Sequence, residues 1–482
     1  MSNLSNVVPL PDPPSVAELV ATGAVDAADD WNTYPPSSFP MQVARRLIAD
    51  LFTTGGHRTL VYWRGQWWSW EGTYWRQLST ELELRKPVWD RLEEVTYTDK
   101  DGEPKAWAPT TAKVNNIIEP LQLQTFIPDR LDAPTWLDGT QGAEQLVSLR
   151  NGLLDLSTVT LSPHTPQLFN TWALGFDYDP QATCPQWEHF VTTTFAHDPA
   201  AGLALQEIFG YLVTGRLDQQ KGFMLIGPRR SGKSLIVRIV TALLGATNVA
   251  PTSMQSLAGN FGLADWVGKP LAVLSDSRDS GALPDAVVER LLMVIGQDAV
   301  PVEKKYQDNW TGTLPTRVML VSNELPSFRD SSGALVDRWV VLETAVSHIG
   351  REDTSLFDRL VVELPGIFNW ALHGATRLHD QGRFTTPAST AETVEMLHDA
   401  AAPEATFIRE HYAVTGEPED YEPLAEVYAA FQLSMRGRGG TPVSQNRFKA
   451  KLKAAGLPGV GPTKREITGK RVEVVKGIQR KF

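Results

Sequence analysis

The sequence predicts an α/β protein: a P-loop NTPase core, a mixed α/β domain before it and a winged helix-turn-helix after it. Three observations predict this. Gly227-Pro228-Arg229-Arg230-Ser231-Gly232-Lys233-Ser234 matches G-x-x-x-x-G-K-[ST]. The apolar run Gly222 to Ile226 before it has the length of a buried strand, and Leu235 to Leu244 after it carries apolar residues at helical spacing and stops at Gly245. Arg436 to Lys481 holds thirteen Lys and Arg against two acids, Glu466 and Glu473, in a chain of net charge −11. That end is a local basic patch, and local field rather than net charge decides phosphate binding.

The glycine loop is a phosphate cradle. Its glycines let backbone N–H groups turn inward around the α- and β-phosphates, and the start of the following helix, running on into Leu235, adds a positive dipole end. Lys233 reaches the β- and γ-phosphates, and the Ser234 hydroxyl is placed to ligate Mg²⁺. The ligand class is therefore a nucleoside triphosphate with Mg²⁺.

With 482 residues, 42% apolar and 21% charged, the chain can bury several cores, and about 150 residues per domain suggests three units. No basic segment followed by an apolar run marks a signal peptide, and no apolar stretch is long enough to cross a bilayer. A cytoplasmic protein with no membrane partner is expected. A single cysteine, Cys184, excludes an internal disulfide and a zinc ribbon.

In chain order, residues 1–40 read as a disordered leader rich in Pro, Ala, Asp and Ser. An N-terminal α/β domain over 41–186 opens with a helix (Val43, Leu47, Ile48, Leu51) and a strand meander turning at Arg64-Gly65 and Glu71-Gly72. Five tryptophans lie there: Trp63, Trp67, Trp68, Trp70 and Trp75. They are expected to pack the sheet; the other reading is a platform for stacking unpaired bases beside Arg64 and Arg76. The core with its preceding helices spans 187–350, a helical linker 351–400, and the basic unit 401–482.

A P-loop NTPase also needs an acid at the end of a neighbouring buried strand, to hold Mg²⁺ and polarise water. Leu271 to Asp276 supplies it, with Asp276 as metal ligand; Asp279 reads as a solvated turn residue. Arg317 to Asn323 is a further strand, whose terminal Asn323 is placed to orient the attacking water or sense the γ-phosphate. Arg338 follows in Asp337-Arg338-Trp339. On spacing alone it is either an arginine finger or half of a surface Arg–Asp pair.

These pieces in this order resemble the superfamily 3 helicases of the phage/plasmid primase family, of satellite-phage and poxvirus type. The resemblance rests on Gly227 to Ser234, Leu274-Ser275-Asp276, Ile295-Gly296-Gln297-Asp298 with Glu303-Lys304-Lys305-Tyr306, Ser322-Asn323-Glu324-Leu325-Pro326, and Asp337-Arg338-Trp339. Ahead of the core it extends through Arg150 to Leu156, Phe176 to Pro180 and Cys184-Pro185-Gln186-Trp187. It implies an AAA+-like ATPase that assembles as a ring, a hexamer, and translocates on single-stranded or forked DNA during replication of a mobile element. Lys233, Asp276 and Asn323 would then be catalytic in one subunit, and Arg338 would complete the neighbour's site. Lys304, Lys305 and Tyr306 fall where the family contacts DNA. Ser277 follows Asp276 where the family often has Glu or an Asp-Glu pair, which leaves the general base open.

Nothing supports a primase centre. Its clustered carboxylates would sit on adjacent strands, whereas Asp99-Lys100-Asp101-Gly102 has the context of a turn, so a primase would be a separate partner. In the C-terminal unit, Leu424 to Leu433 and Ser444 to Lys453 read as helices followed by a glycine-punctuated hairpin. The second helix sets Phe448 and Leu452 on one face, with Arg447, Lys449, Lys451 and Lys453 around it as DNA contacts. The alternative to a ring helicase is an ATP-controlled origin-binding initiator. A small-substrate P-loop kinase leaves the basic C-terminus unexplained.

Overall fold

The computed structural model describes residues 31–275, 284–303, 310–326, 328, 330, 333–437, 442–467 and 469–481. Asp276, Asp279, Lys304, Lys305 and Tyr306 lie outside the described residues, as do residues 1–30 of the expected leader. Residues 31–39 are packed rather than free. Tyr34 is buried, its hydroxyl donates to Asp50 at 2.6 Å, and Trp107 Nε1 donates to the Pro35 carbonyl at 2.9 Å. Proline content alone hid the aromatic anchor that ties this stretch down.

Pro40–Leu51 (α1) begins on a proline, whose missing N–H is not needed in the first turn, and buries Val43, Ala44, Leu47 and Ile48. Leu60–Trp63 (β1), Gln66–Trp70 (β2) and Trp75–Gln77 (β3) form an antiparallel meander. Arg64 and Gly65 turn the first hairpin at φ 50° and 71°, the left-handed pair that a two-residue hairpin requires. Leu82–Glu94 (α2) and Thr111–Thr125 (α3) pack behind it, and Phe126–Ile127 (β4) adds a parallel strand to β1. Trp63, Trp67, Trp68 and Trp75 are core residues, with Trp63, Trp68 and Trp75 gathered around Phe169. The packing role holds for these four, and no base can stack on them without unfolding the sheet.

A second antiparallel sheet, Leu146–Leu149 (β5), Gly152–Asp155 (β6) and Thr160–Ser162 (β7), leads to two helices, Pro185–Thr194 (α4) and Pro199–Val213 (α5). Cys184 precedes α4 and is buried, which pushes its thiol pKa up to about 12.

The core follows as Gly222–Ile226 (β8), Lys233–Leu244 (α6), Val249–Ser253 (β9), Leu271–Ser275 (β10), Asp285–Ile295 (α7), a hairpin of Val300–Val302 (β11) and Trp310–Gly312 (β12), Arg317–Ser322 (β13) and Trp339–Glu343 (β14). Five of these strands make one parallel sheet in the order β9-β10-β13-β8-β14. Strands covered on both faces read as continuous apolar runs, and β8 is buried at all five positions. This parallel sheet with the P-loop strand at its interior is the predicted α/β core.

Leu356–Val362 (α8) and Leu364–Gln381 (α9) cover one face, and Ala391–Ala401 (α10) leads out of the core. A Cβ on Gly210 of α5 would stand 2.4 Å from the Ala371 carbonyl of α9, and one on Gly374 of α9 would stand 2.2 Å from the Gln206 carbonyl. Only glycine lets these helices approach so closely. Glu207, wholly buried, accepts from Arg377 Nε and the Thr385 N–H, each at 2.7 Å, and so joins both helices to the segment after them.

The C-terminal region contains Pro403–His411 (α11), Tyr412–Val414 (β15), Tyr421–Pro423 (β16), Leu424–Gly437 (α12), Gln445–Ala454 (α13), Gly461–Ile467 (β17), Lys470–Lys476 (β18) and Ile478–Arg480 (β19). Three helices pack on the antiparallel sheet β16-β18-β17 around Phe407, Phe431, Phe448 and Leu452. No helix among the described residues is long and apolar enough to cross a membrane.

Candidate functional site: a nucleotide cleft at the sheet edge

β8 ends at Ile226, and the chain turns at Gly227 into a loop that ends where α6 begins. Gly227 has φ 145°, and a Cβ there would lie 2.2 Å from the Thr344 carbonyl oxygen. Gly232 has φ 95° and is the N-cap of α6; a Cβ there would lie 3.0 Å from the Phe190 ring. Both positions therefore need glycine for conformation and for space. Arg230 also takes a left-handed φ, 59°, in this loop.

Lys233 is buried. Its Nζ donates to the Gly227 carbonyl at 2.6 Å and the Pro228 carbonyl at 2.7 Å, with Ser231 Oγ at 3.3 Å. Burial disfavours its charged form and holds its pKa below the ordinary lysine value. Ser231 Oγ donates to the Pro228 carbonyl at 2.8 Å and lies 2.6 Å from Thr344 Oγ1.

The loop floors a cleft of about 1220 Å³. Arg229 through Leu235 line it, together with Ser275 at the end of β10 and Asn323 just after β13. Register explains the convergence. Ile226 pairs with Ser322 and Val321 with Ser275, so three neighbouring parallel strands finish at one level. Ligands in open parallel sheets bind at this carboxyl edge.

The far wall comes from α4, α6 and α8. Gln186, His189, Phe190, Arg238, Phe357 and Arg359 face the cleft, and the Arg238 guanidinium lies 3.7 Å from the Phe357 ring centroid. Arg359 joins Asp353 at 2.7 Å and Gln186 Oε1 at 2.9 Å, and its guanidinium holds the Asp353 carboxyl at about 2. A phosphate-sized polar end and an aromatic end in one cleft match the two halves of a nucleotide. Ser234 is exposed to the cleft beside the end of β10, and a hydroxyl with a carboxylate is the oxygen donor set Mg²⁺ prefers.

Arg338 is elsewhere. Gly222 pairs with Trp339, which sets Arg338 at the opposite edge of the sheet, a five-residue strand of roughly 16 Å away. Its guanidinium donates to the Leu292 carbonyl at the end of α7. Asp337 meets His398 Nε2 at 3.2 Å instead of Arg338. A single chain does not bring Arg338 to its own P-loop.

Two family comparisons bear on this site. The family described as D5 N terminal like matches residues 46–196, and a family of unknown function, DUF5906, matches residues 225–338, from the P-loop strand to Arg338. Among solved structures, the apo structure of the NrS-1 C-terminal region aligns over 91% of this chain and 99% of that one, at 10% identity and a TM-score of 0.49. An A form of the same apo region aligns over 63% of this chain and 79% of that one, at 11% identity and a TM-score of 0.40.

The C-terminal basic residues are unequal. Lys453 is exposed on α13. Arg447 reaches Asp285 at the start of α7 at 3.0 Å, and Lys449 lies 3.1 Å from Glu473 on β18. Lys451 is largely covered, its Nζ 4.0 Å from the buried Glu404. Burial pushes the Glu404 carboxyl above its ordinary pKa. In the N-terminal domain, Asp99 accepts from the Asp101 and Glu103 N–H groups, each at 2.9 Å, which closes a turn between two short strands.

Sequence reasoning missed Thr344, Phe190, Phe357 and the segment 345–353. None carries a short motif, and each arrives from a different part of the chain. The positive φ of Arg230, next to a loop already identified, was equally invisible in the letters.

Proposed function

We propose that this chain is the ATP-dependent DNA helicase of a phage or mobile element, assembled as a hexameric ring and translocating on single-stranded DNA. One observation carries the reading: the P-loop, the end of β10 and Asn323 border one cleft, while Arg338 stands a strand length away. An ATPase core with its arginine at the wrong end is complete only when a second copy supplies it, as in AAA+-like rings.

In this reading the Arg229 to Ser234 N–H groups and Lys233 bind the triphosphate, and Asn323 orients the attacking water. Ser234, with Asp276, would hold Mg²⁺, which supplies charge neutralisation on the β- and γ-oxygens. Arg338 of one subunit would stabilise the charge that develops in its neighbour's site. Phosphate charge favours the basic side chains: Lys304 and Lys305, with Tyr306 beside them in sequence, and on α13 Lys453 first, then Arg447 and Lys449 once released from their carboxylates, with Lys451 facing Glu404 instead. The order of three helices and a β17–β18 hairpin supports a winged helix-turn-helix, with α13 as the helix that enters the major groove. Priming would fall to a separate polypeptide.

The test is ATPase rate with and without single-stranded DNA, with mass in solution measured in nucleotide. Stimulation by DNA and a ring-sized mass are expected. A monomer that hydrolyses ATP at full rate overturns the reading, and sequence-specific duplex binding with slow, unstimulated hydrolysis replaces it with an origin-binding initiator.

A further inference from the structure

An anion cradle works when its N–H groups face the ligand and its carbonyls face away. Here the outward carbonyls are held by one stretch of chain. Ser347 Oγ donates to the Arg229 carbonyl at 2.8 Å, and the His348 N–H donates to the Arg230 carbonyl at 2.9 Å. Thr344, which ends β14, donates its N–H to the Ile226 carbonyl at 2.8 Å, and its side chain is buried behind the loop. The Ser231 and Thr344 hydroxyls lie 2.6 Å apart, and each also reaches a backbone carbonyl, Ser231 Oγ that of Pro228 at 2.8 Å and Thr344 Oγ1 that of Ile226 at 3.2 Å, so the two hydroxyls form one chain between these carbonyls. The Gly227 position allows this approach, since any side chain there would strike Thr344.

We propose that Thr344 and Ser347 are positioning residues for triphosphate binding, which hold the P-loop in its anion-accepting shape from outside the cleft. The proposal rests on reading the cleft as a nucleotide site. Neither residue lines that cleft, so each acts through the loop. Thr344 sets the Ser231 hydroxyl and through it the Pro228 carbonyl. Ser347 draws the Arg229 carbonyl outward. Together with the His348 N–H they hold the Arg229 and Arg230 carbonyls, while Lys233 covers those of Gly227 and Pro228.

The test compares full-length wild type with Thr344→Val, Thr344→Ser and Ser347→Ala, by titration with a fluorescent ADP analogue and by KM and kcat for ATP. Thr344→Val keeps the shape and loses the hydroxyl; it is expected to weaken ADP binding and raise KM about tenfold, the size of one buried hydrogen bond, with kcat held within about twofold. Thr344→Ser is expected to restore wild-type binding. Ser347→Ala, on the surface and no threat to folding, is expected to weaken binding about threefold. Wild-type ADP affinity in both Thr344→Val and Ser347→Ala overturns the proposal, as does a Thr344→Ser variant as weak as Thr344→Val, which would assign the effect to the methyl group. A wild type that binds ADP and hydrolyses nothing sinks the helicase reading alone and leaves the binding comparison intact.

Discussion

Lys233 and Arg338 stand at opposite edges of the same parallel sheet, fixed there by the register that pairs Gly222 with Trp339 and Ile226 with Glu343. Lys233→Ala and Arg338→Ala are each expected to abolish ATP hydrolysis, while Arg338→Ala keeps nucleotide affinity near wild type. In an equimolar mixture, roughly one site in four would join an intact Lys233 to an intact neighbouring Arg338, as a head-to-tail interface dictates. Partial recovery of activity on mixing is the expected outcome. No recovery at any ratio removes the shared site.

Gly227→Ala is expected to abolish nucleotide binding outright, because the new methyl would lie 2.2 Å from the Thr344 carbonyl at a φ of 145°. Gly232→Ala meets the edge of the Phe190 ring at 3.0 Å, a side chain that can yield. Isothermal titration with ADP separates the two: a residual affinity is expected for Gly232→Ala only.

The Arg64 guanidinium lies 4.1 Å from the Trp63 ring centroid and 4.2 Å from that of Trp310 at the start of β12. Its side chain is 4% exposed. Arg64→Ala is expected to cost about 2 kcal/mol or more in chemical denaturation, the range for a desolvated cation–π contact. A double-mutant cycle with Trp310→Phe is expected to show coupling; strict additivity would separate the two residues.

Glu404 gives a pH-dependent prediction. Burial raises its pKa in the folded protein, so the folded state binds the proton more tightly than the unfolded one, and stability falls as pH rises from the ordinary glutamate value through the raised one. Glu404→Gln lacks this titration. The melting difference, Gln variant minus wild type, is expected to grow in favour of the variant as pH rises above the ordinary glutamate value of 4.5. A difference that does not change with pH would show that Lys451 offsets the burial.

On α13, Lys453→Ala is expected to lower the slope of log affinity against log salt by about 1, as loss of one phosphate contact does. Lys451→Ala is expected to leave that slope unchanged and to lower the melting temperature, since its ammonium faces Glu404. Filter binding over a salt series with one duplex checks both.

The contiguous parts of the site were legible. The P-loop, its strand and its helix lie within about two dozen residues, and β13 with Asn323 announces itself as an apolar run ending in a polar side chain. The back of the loop was not legible, because Thr344 and Ser347 reach it from more than a hundred residues away and look ordinary in sequence. Lys451 shows a different limit. It lies three residues after Phe448, and both Phe448 and Leu452 are buried, so helical spacing alone would have turned it toward the core side. Residues 31–39 show a third, since one buried tyrosine outweighs a run of prolines.

The glycine contacts between α5 and α9 have a mechanical consequence. With Gly210 and Gly374 seated against the opposite backbone and Glu207 riveting Arg377 and Thr385, the pair behaves as a single plank behind the sheet. It cannot shear or roll without lifting apart. If the cleft takes up nucleotide as proposed, its adjustment is expected at the lighter rim, the short helix Leu356–Val362 and the chain leading into it, rather than at this pair.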